Sequence, residues 1–101
     1  TLDLWAYKVI PKGYKATSID LWLSHKLVGD SSDLTVYEKF WDNTLPVSKG
    51  TLTCTGTAGA ALYQLNFTDI TADGDNMIMI HLDVAGNTSH VLGAKIYITE
   101  V

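Results

Sequence analysis

Arginine is absent, and positive charge of any kind is scarce. The 101 residues carry seven basic side chains, all lysine, against eleven carboxylates, for a formal net charge of −4 with the three histidines neutral. A nucleic-acid binder needs a basic stripe to displace counterions, and it favours the guanidinium fork for phosphate and guanine. Neither is present, so no nucleic-acid partner is expected. The same shortage argues against docking on anionic lipid. Cysteine occurs once, which excludes an intrachain disulfide and a cysteine-based zinc site. Cys54 sits in the strand-like run Thr-Leu-Thr-Cys-Thr-Gly. It reads as a small buried apolar residue; a nucleophile would need a histidine partner, and no local signature supplies one. No apolar run approaches the roughly eighteen residues of a membrane span. No charged-then-apolar leader is visible, so neither membrane insertion nor a signal peptide is expected. Helix formers are thin as well, with two glutamates in the whole chain.

Hydrophobic residues make up 47% of the chain and charged residues 18%, which is the balance of a chain that buries a core. The length fits one domain over residues 1–101. A domain this small, without disulfides, is marginal on its own, and self-association is a common remedy. Threonine occurs twelve times and glycine eight. Turn-forming clusters punctuate the chain: Pro11-Lys-Gly13, Gly29-Asp-Ser-Ser-Asp33, Asp42-Asn43, Ser48-Lys-Gly50, Gly56 to Gly59, Asp73-Gly-Asp-Asn76 and Gly86-Asn87. Short β-branched and aromatic runs lie between them, the pattern of an antiparallel sandwich or barrel.

The clearest strand covers residues 77–84. Ile78, Ile80, Leu82 and Val84 share a core-facing side, while Met77, Met79, His81 and Asp83 share the other. A solvated face rarely carries methionine twice, so that side is expected to meet a partner or a second buried surface. In residues 91–101, Leu92, Ala94, Ile96 and Ile98 alternate with Gly93, Lys95, Tyr97 and Thr99. In residues 61–70, Tyr63, Leu65 and Phe67 oppose Gln64, Asn66 and Thr68. Residues 2–10 set Trp5, Tyr7 and Val9 against Leu4, Ala6 and Lys8, with apolar groups on both faces. Residues 17–28 and 34–41 fit either a strand or a short amphipathic helix; the β-branched and aromatic content assigns both to strands.

No constellation of catalytic residues emerges. His25, His81 and His90 are far apart and show no metal-ligand spacing. Asp73-Gly-Asp-Asn76 resembles the opening of a calcium loop but lacks the spacing and the closing glutamate, so it reads as a turn. Gly-x-Ser-x-Gly, phosphate-cradling and dinucleotide motifs are missing. No metal, cofactor or catalytic residue is therefore expected. Asn66-Phe-Thr68 and Asn87-Thr-Ser89 match the glycosylation triplet, which matters only in a secretory protein. The aromatic residues serve either as core and interface anchors or as a sugar-stacking platform, for which Trp22, Trp41 and Tyr37 are the candidates.

Five segments together resemble a recurring module of tailed-phage virion proteins: Ile10-Pro-Lys-Gly-Tyr14, Ser18-Ile-Asp-Leu-Trp22, Phe67-Thr-Asp-Ile-Thr71, Gly74-Asp-Asn-Met-Ile-Met-Ile80 and His90-Val-Leu-Gly-Ala-Lys-Ile96. Those modules enter on an Ile-Pro-x-x-Tyr segment, turn on Gly-Asp into a strand, and close on a Leu-Gly strand. The loop 85–89 departs from them, carrying Ala-Gly-Asn-Thr-Ser where they are richer in Asp. The resemblance implies a jelly-roll-like antiparallel β-sandwich of about eight strands. It also implies a non-enzymatic structural part on the virion exterior: a tail fibre, neck appendage or capsid decoration, commonly homotrimeric. Its partners would be copies of itself, other virion proteins, and in the alternative reading a host surface glycan. Met77, Met79 and His81 are the first candidate subunit interface, with Trp5 and Tyr7 second.

Overall fold

The structure, a computed structural model, describes residues 2–56, 58–84 and 89–101. The turn at Gly86-Asn87, the triplet at Asn87 and residue 57 of the Gly56 to Gly59 connection lie outside the described residues. Seven strands follow in order: β1 (Leu2–Lys8), β2 (Tyr14–His25), β3 (Ser31–Phe40), β4 (Val47–Thr55), β5 (Gly59–Thr71), β6 (Asn76–Val84) and β7 (His90–Glu100). No helix occurs among the described residues, so the two ambiguous segments are strands, β2 and β3. The count among the described residues is seven rather than eight.

The strands form two antiparallel sheets, β1-β6-β3-β4 and β5-β2-β7. The pairs β1–β6, β2–β5 and β3–β4 nest inside one another, the path of a rolled hairpin, which makes the sandwich jelly-roll-like. β7 adds at the remaining edge of β2.

One aliphatic layer joins the sheets. Ile19, Leu21 and Leu23 of β2 meet Leu34 and Val36 of β3 and Ile78, Leu82 and Val84 of β6, all buried. The alternation in the sequence places them there, because every second side chain of a strand points to the same face. Two irregularities reset that alternation. Between Ala16 and Ser18 the register slips against both neighbours, so Ala16 and Ile19 both reach the core. Between Trp22 and Leu23 it slips against β7, leaving Leu92 without an opposite residue. Val91 then lines the inner side with Ala94, and Leu92 stands out in solvent. The simple alternation put Leu92 on the same face as Ala94, Ile96 and Ile98; a bulge flips the face of everything on one side of it.

The turns have visible causes. Tyr14 N donates to Pro11 O at 3.1 Å, with Gly13 at φ +94°. At the β5–β6 turn, Asp73 Oδ1 accepts from Asp75 N (2.8 Å) and Asn76 Oδ1 from Asp73 N (3.1 Å). Asn76 Nδ2 also donates to Thr71 O (2.7 Å) and Glu38 Oε2 (2.6 Å), tying this turn to β3. Asp73 and Asn76 are thus occupied in capping the turn's own backbone.

One flank of the sandwich is closed. β4 passes so near β5 that a Cβ on Gly50 would lie 2.9 Å from Phe67 Cβ and 3.3 Å from its Cα. Backbone cannot yield as a side chain does, so Gly50→Ala should cost about 1–3 kcal/mol through overpacking. A urea titration reads this as a lower midpoint; an unchanged midpoint would contradict the close approach.

Candidate functional site

The opposite flank is open. Among the described residues β1 is paired only with β6, and β7 only with β2. The tight connection over residues 9–13 reverses the chain from β1 into β2, and β7 is antiparallel to β2. β1 and β7 therefore run in the same direction along the two rims. Between them lie two hollows that share Ala6, Ile80 and Ala94 and so make one slot. The smaller, 120 Å³, has Leu21, Leu34 and Leu82 of the core as its floor. The larger, 570 Å³, runs on past Lys8 and Val9 toward Ile96 and Ile98. The rims are apolar and accessible, with Trp5 51%, Tyr7 60% and Ile98 44% exposed. Natural edge strands are usually blunted by charge, proline or shortness. Here the eleven-residue β7 carries one lysine between its ends, Lys95, and no proline.

The outer face of the four-stranded sheet gathers most of the residues singled out in the sequence. Across β1, β6 and β3 the register sets Trp5 beside His81 and Thr35, and Tyr7 beside Met79 and Tyr37. The Trp5 indole stacks on the His81 ring at 4.1 Å, and His81 Nε2 lies 3.0 Å from Asp3 Oδ1. Met77 and Met79 are on this face too, yet they are 6% and 5% exposed in the single chain, because β6 is an inner strand of its sheet. A partner approaching here would meet Trp5 and Tyr7. The next row places Asp3, Asp83 and Asp33 side by side. Asp33 accepts from Thr53 Oγ1 (3.0 Å), whereas Asp83 Oδ1 has no hydrogen-bond partner among the described residues. Among the described residues no group of three or more His, Cys, Asp or Glu side chains is arranged to hold a metal ion.

Trp22 lies on the other sheet, between Leu62 and Gly93. Beside it Asp20, 6% exposed, accepts from Gln64 Nε2 (3.0 Å) and Tyr97 Oη (2.7 Å). That bond to the carboxylate, with burial added, raises the Tyr97 phenol above its ordinary pKa. Lys95 Nζ sits 4.9 Å from the centre of the same ring. Trp41 is elsewhere again, exposed in the 41–46 connection beside Asp42 and Asp75. That connection is held by Lys39 Nζ, which donates to the carbonyls of Phe40, Asp42 and Thr44. Hydrogen bonds from Thr44 keep the Asp42 carboxyl below the usual carboxylate range. The three candidate sugar-contact residues, Trp22, Trp41 and Tyr37, thus stand on three separate surfaces.

Inside the closed part of the core, His25 Nε2 lies 2.9 Å from Ser32 Oγ, and Cys54 stands opposite Ser32 on β4. Sequence reading missed this grouping, since it depends on β2 and β3 facing across the sandwich. A serine–histidine pair is the beginning of a nucleophile and its base. Here both residues are buried, neither lines the slot or the hollow at Trp41, and their contact joins one sheet to the other.

No protein-family model, curated protein or solved structure matches the chain.

Burial, with Asp33 adding repulsion, pushes the Cys54 thiol from 9.0 up to about 11. Native protein at pH 8 should therefore leave a thiol-reactive disulfide probe untouched, and urea should expose one reactive thiol per chain. The raised folded pKa also means that this group's contribution to stability holds below pH 9.0 and is lost as pH climbs toward 11. Denaturant titrations of wild type and Cys54→Val over that window check the slope, which should be shallower in the variant.

Proposed function

We propose that the chain is a non-enzymatic structural module of a phage virion, a fibre, appendage or decoration part on the particle exterior, working as a homotrimer. The observation that carries self-association is the open flank: two unpaired, apolar, same-direction strand edges bordering a slot whose floor is the hydrophobic core. An edge in that state is a template for another strand. The virion setting rests on the resemblance of the five segments named above. An acidic chain free of arginine is better suited to an exterior part than to one facing packaged DNA. The buried state of the Ser32–His25 pair supports the non-enzymatic reading.

A second reading, carbohydrate binding, is favoured by one observation: Trp41 is 61% exposed beside two carboxylates, Asp42 and Asp75, at a shallow 230 Å³ hollow. Its ring can stack on a sugar face while the carboxylates accept hydroxyl hydrogen bonds.

Light scattering over a dilution series separates the two. The structural reading expects a particle of three times 11.0 kDa that dissociates only on dilution. A monomer at every concentration, joined by a glycan-array signal that Trp41→Ala abolishes, would replace it with the second.

A further inference from the structure

We infer that the slot is closed by a second copy of the chain, with β1 of one copy pairing in parallel with β7 of the next around a rotation axis that runs along the strands. The inference rests on the self-assembling reading and specifies its contact surface.

The occupant has to satisfy two demands at once. The rims offer unpaired backbone N–H and C=O groups, which a β-strand satisfies and a helix or loop does not. The wall behind them is carbon, so the same strand has to turn apolar side chains inward. Four strands have a free side among the described residues, β1, β4, β5 and β7; β4 and β5 already close on each other at the Gly50–Phe67 flank, which leaves β1 and β7 to do both. Their directions decide the symmetry. Because β1 and β7 run the same way within one copy, a rotation about an axis along the strands keeps that sense, and β1 then meets a neighbour's β7 in parallel. Each copy offers one rim of each kind, so the contact repeats head to tail and closes into a ring. The four-stranded sheet of one copy continues into the three-stranded sheet of the next, and the slots face inward into a shared core.

Charge and side-chain direction select the register. Leu4, Ala6 and Lys8 point to the slot from β1; Ala94, Ile96, Ile98 and Glu100 have the matching parity on β7. The pairing must keep inward residues opposite inward residues, or the apolar sets would part company. Among such registers, the one that sets Asp3 against a neighbour's Lys95 also sets Lys8 against its Glu100, Trp5 against its Tyr97, and Leu4 and Ala6 against its Ile96 and Ile98. Opposite charges meet at both ends of the contact and apolar residues meet between them. A shift of two residues in either direction loses both charge pairs.

The test is charge reversal at the Lys8–Glu100 pair, whose members are solvent-exposed at strand ends in the single chain. Light scattering at low salt is run on wild type, Lys8→Glu, Glu100→Lys and the double variant, with circular dichroism confirming that each folds. Each single reversal should raise the concentration of half-dissociation about tenfold or more, since repulsion replaces attraction at every interface of the ring. The double variant should restore it. Asp3→Lys with Lys95→Asp reports the same register from the other end and serves if a Lys8 variant fails to fold. An oligomer unmoved by all reversals would overturn the β1–β7 contact while leaving self-assembly standing. A wild-type monomer would overturn both.

Discussion

The structure depends on one aliphatic layer, shared by β2 on one side and by β3 and β6 on the other, and on how unequally that layer is covered. Ile19, Leu21 and Leu23 are matched by Leu34, Val36, Ile78, Leu82 and Val84, each of the large side chains supplying roughly 1.5–3 kcal/mol on full burial. Strand alternation delivers them all to the same plane. Coverage at the flanks is a separate matter. At the β4–β5 flank the absence of a side chain on Gly50 lets the two sheets draw together against Phe67. At the β1–β7 flank no comparable contact forms, and Leu21, Leu34 and Leu82 remain the floor of a slot. The fold is finished on one side and unfinished on the other.

That asymmetry organises the remaining surface. On the finished side the edge strand β4 is rich in hydroxyls, its Thr53 and Thr55 donating to Asp33 and Ser31 of β3. On the unfinished side the rims carry Trp5, Tyr7 and Ile98. His25, Ser32 and Cys54 lie buried within, where the His25–Ser32 contact joins the two sheets, whereas His81 lies on the outer face with Trp5 and Asp3. The proposed pairing of β1 with a neighbour's β7 around a common axis would give those apolar edges an occupant of matching direction and charge.

Much of this architecture was legible in the residues. Alternation at Ile78, Ile80, Leu82 and Val84 marked a strand with one core face, and Pro11-Lys-Gly13 and Asp73-Gly-Asp-Asn76 marked two of the fold's turns, because proline, glycine and Asx geometry act over three or four residues. The grouping of Trp5 and Tyr7 with Met79 and His81 on one face follows from two alternations read correctly and brought into register. The burial of Met77 and Met79 was not legible: a strand does not state whether it lies at the edge or in the middle of its sheet. Nor was the inward turn of Val91 in place of Leu92, which a single unpaired residue decides. The slot was hidden for the same reason as the His25–Ser32 pair, since both arise from which strands face each other across the two sheets.

Backbone hydrogen exchange, followed residue by residue at several protein concentrations, tests the central claim most directly. The account predicts that amides of β1 and β7 gain protection against local opening as concentration rises, beyond the common gain that association gives β2, β3 and β6 through global stability, because only the rims change partners. Equal protection of the rims at every concentration, whether high or low, would contradict a flank that a second copy completes.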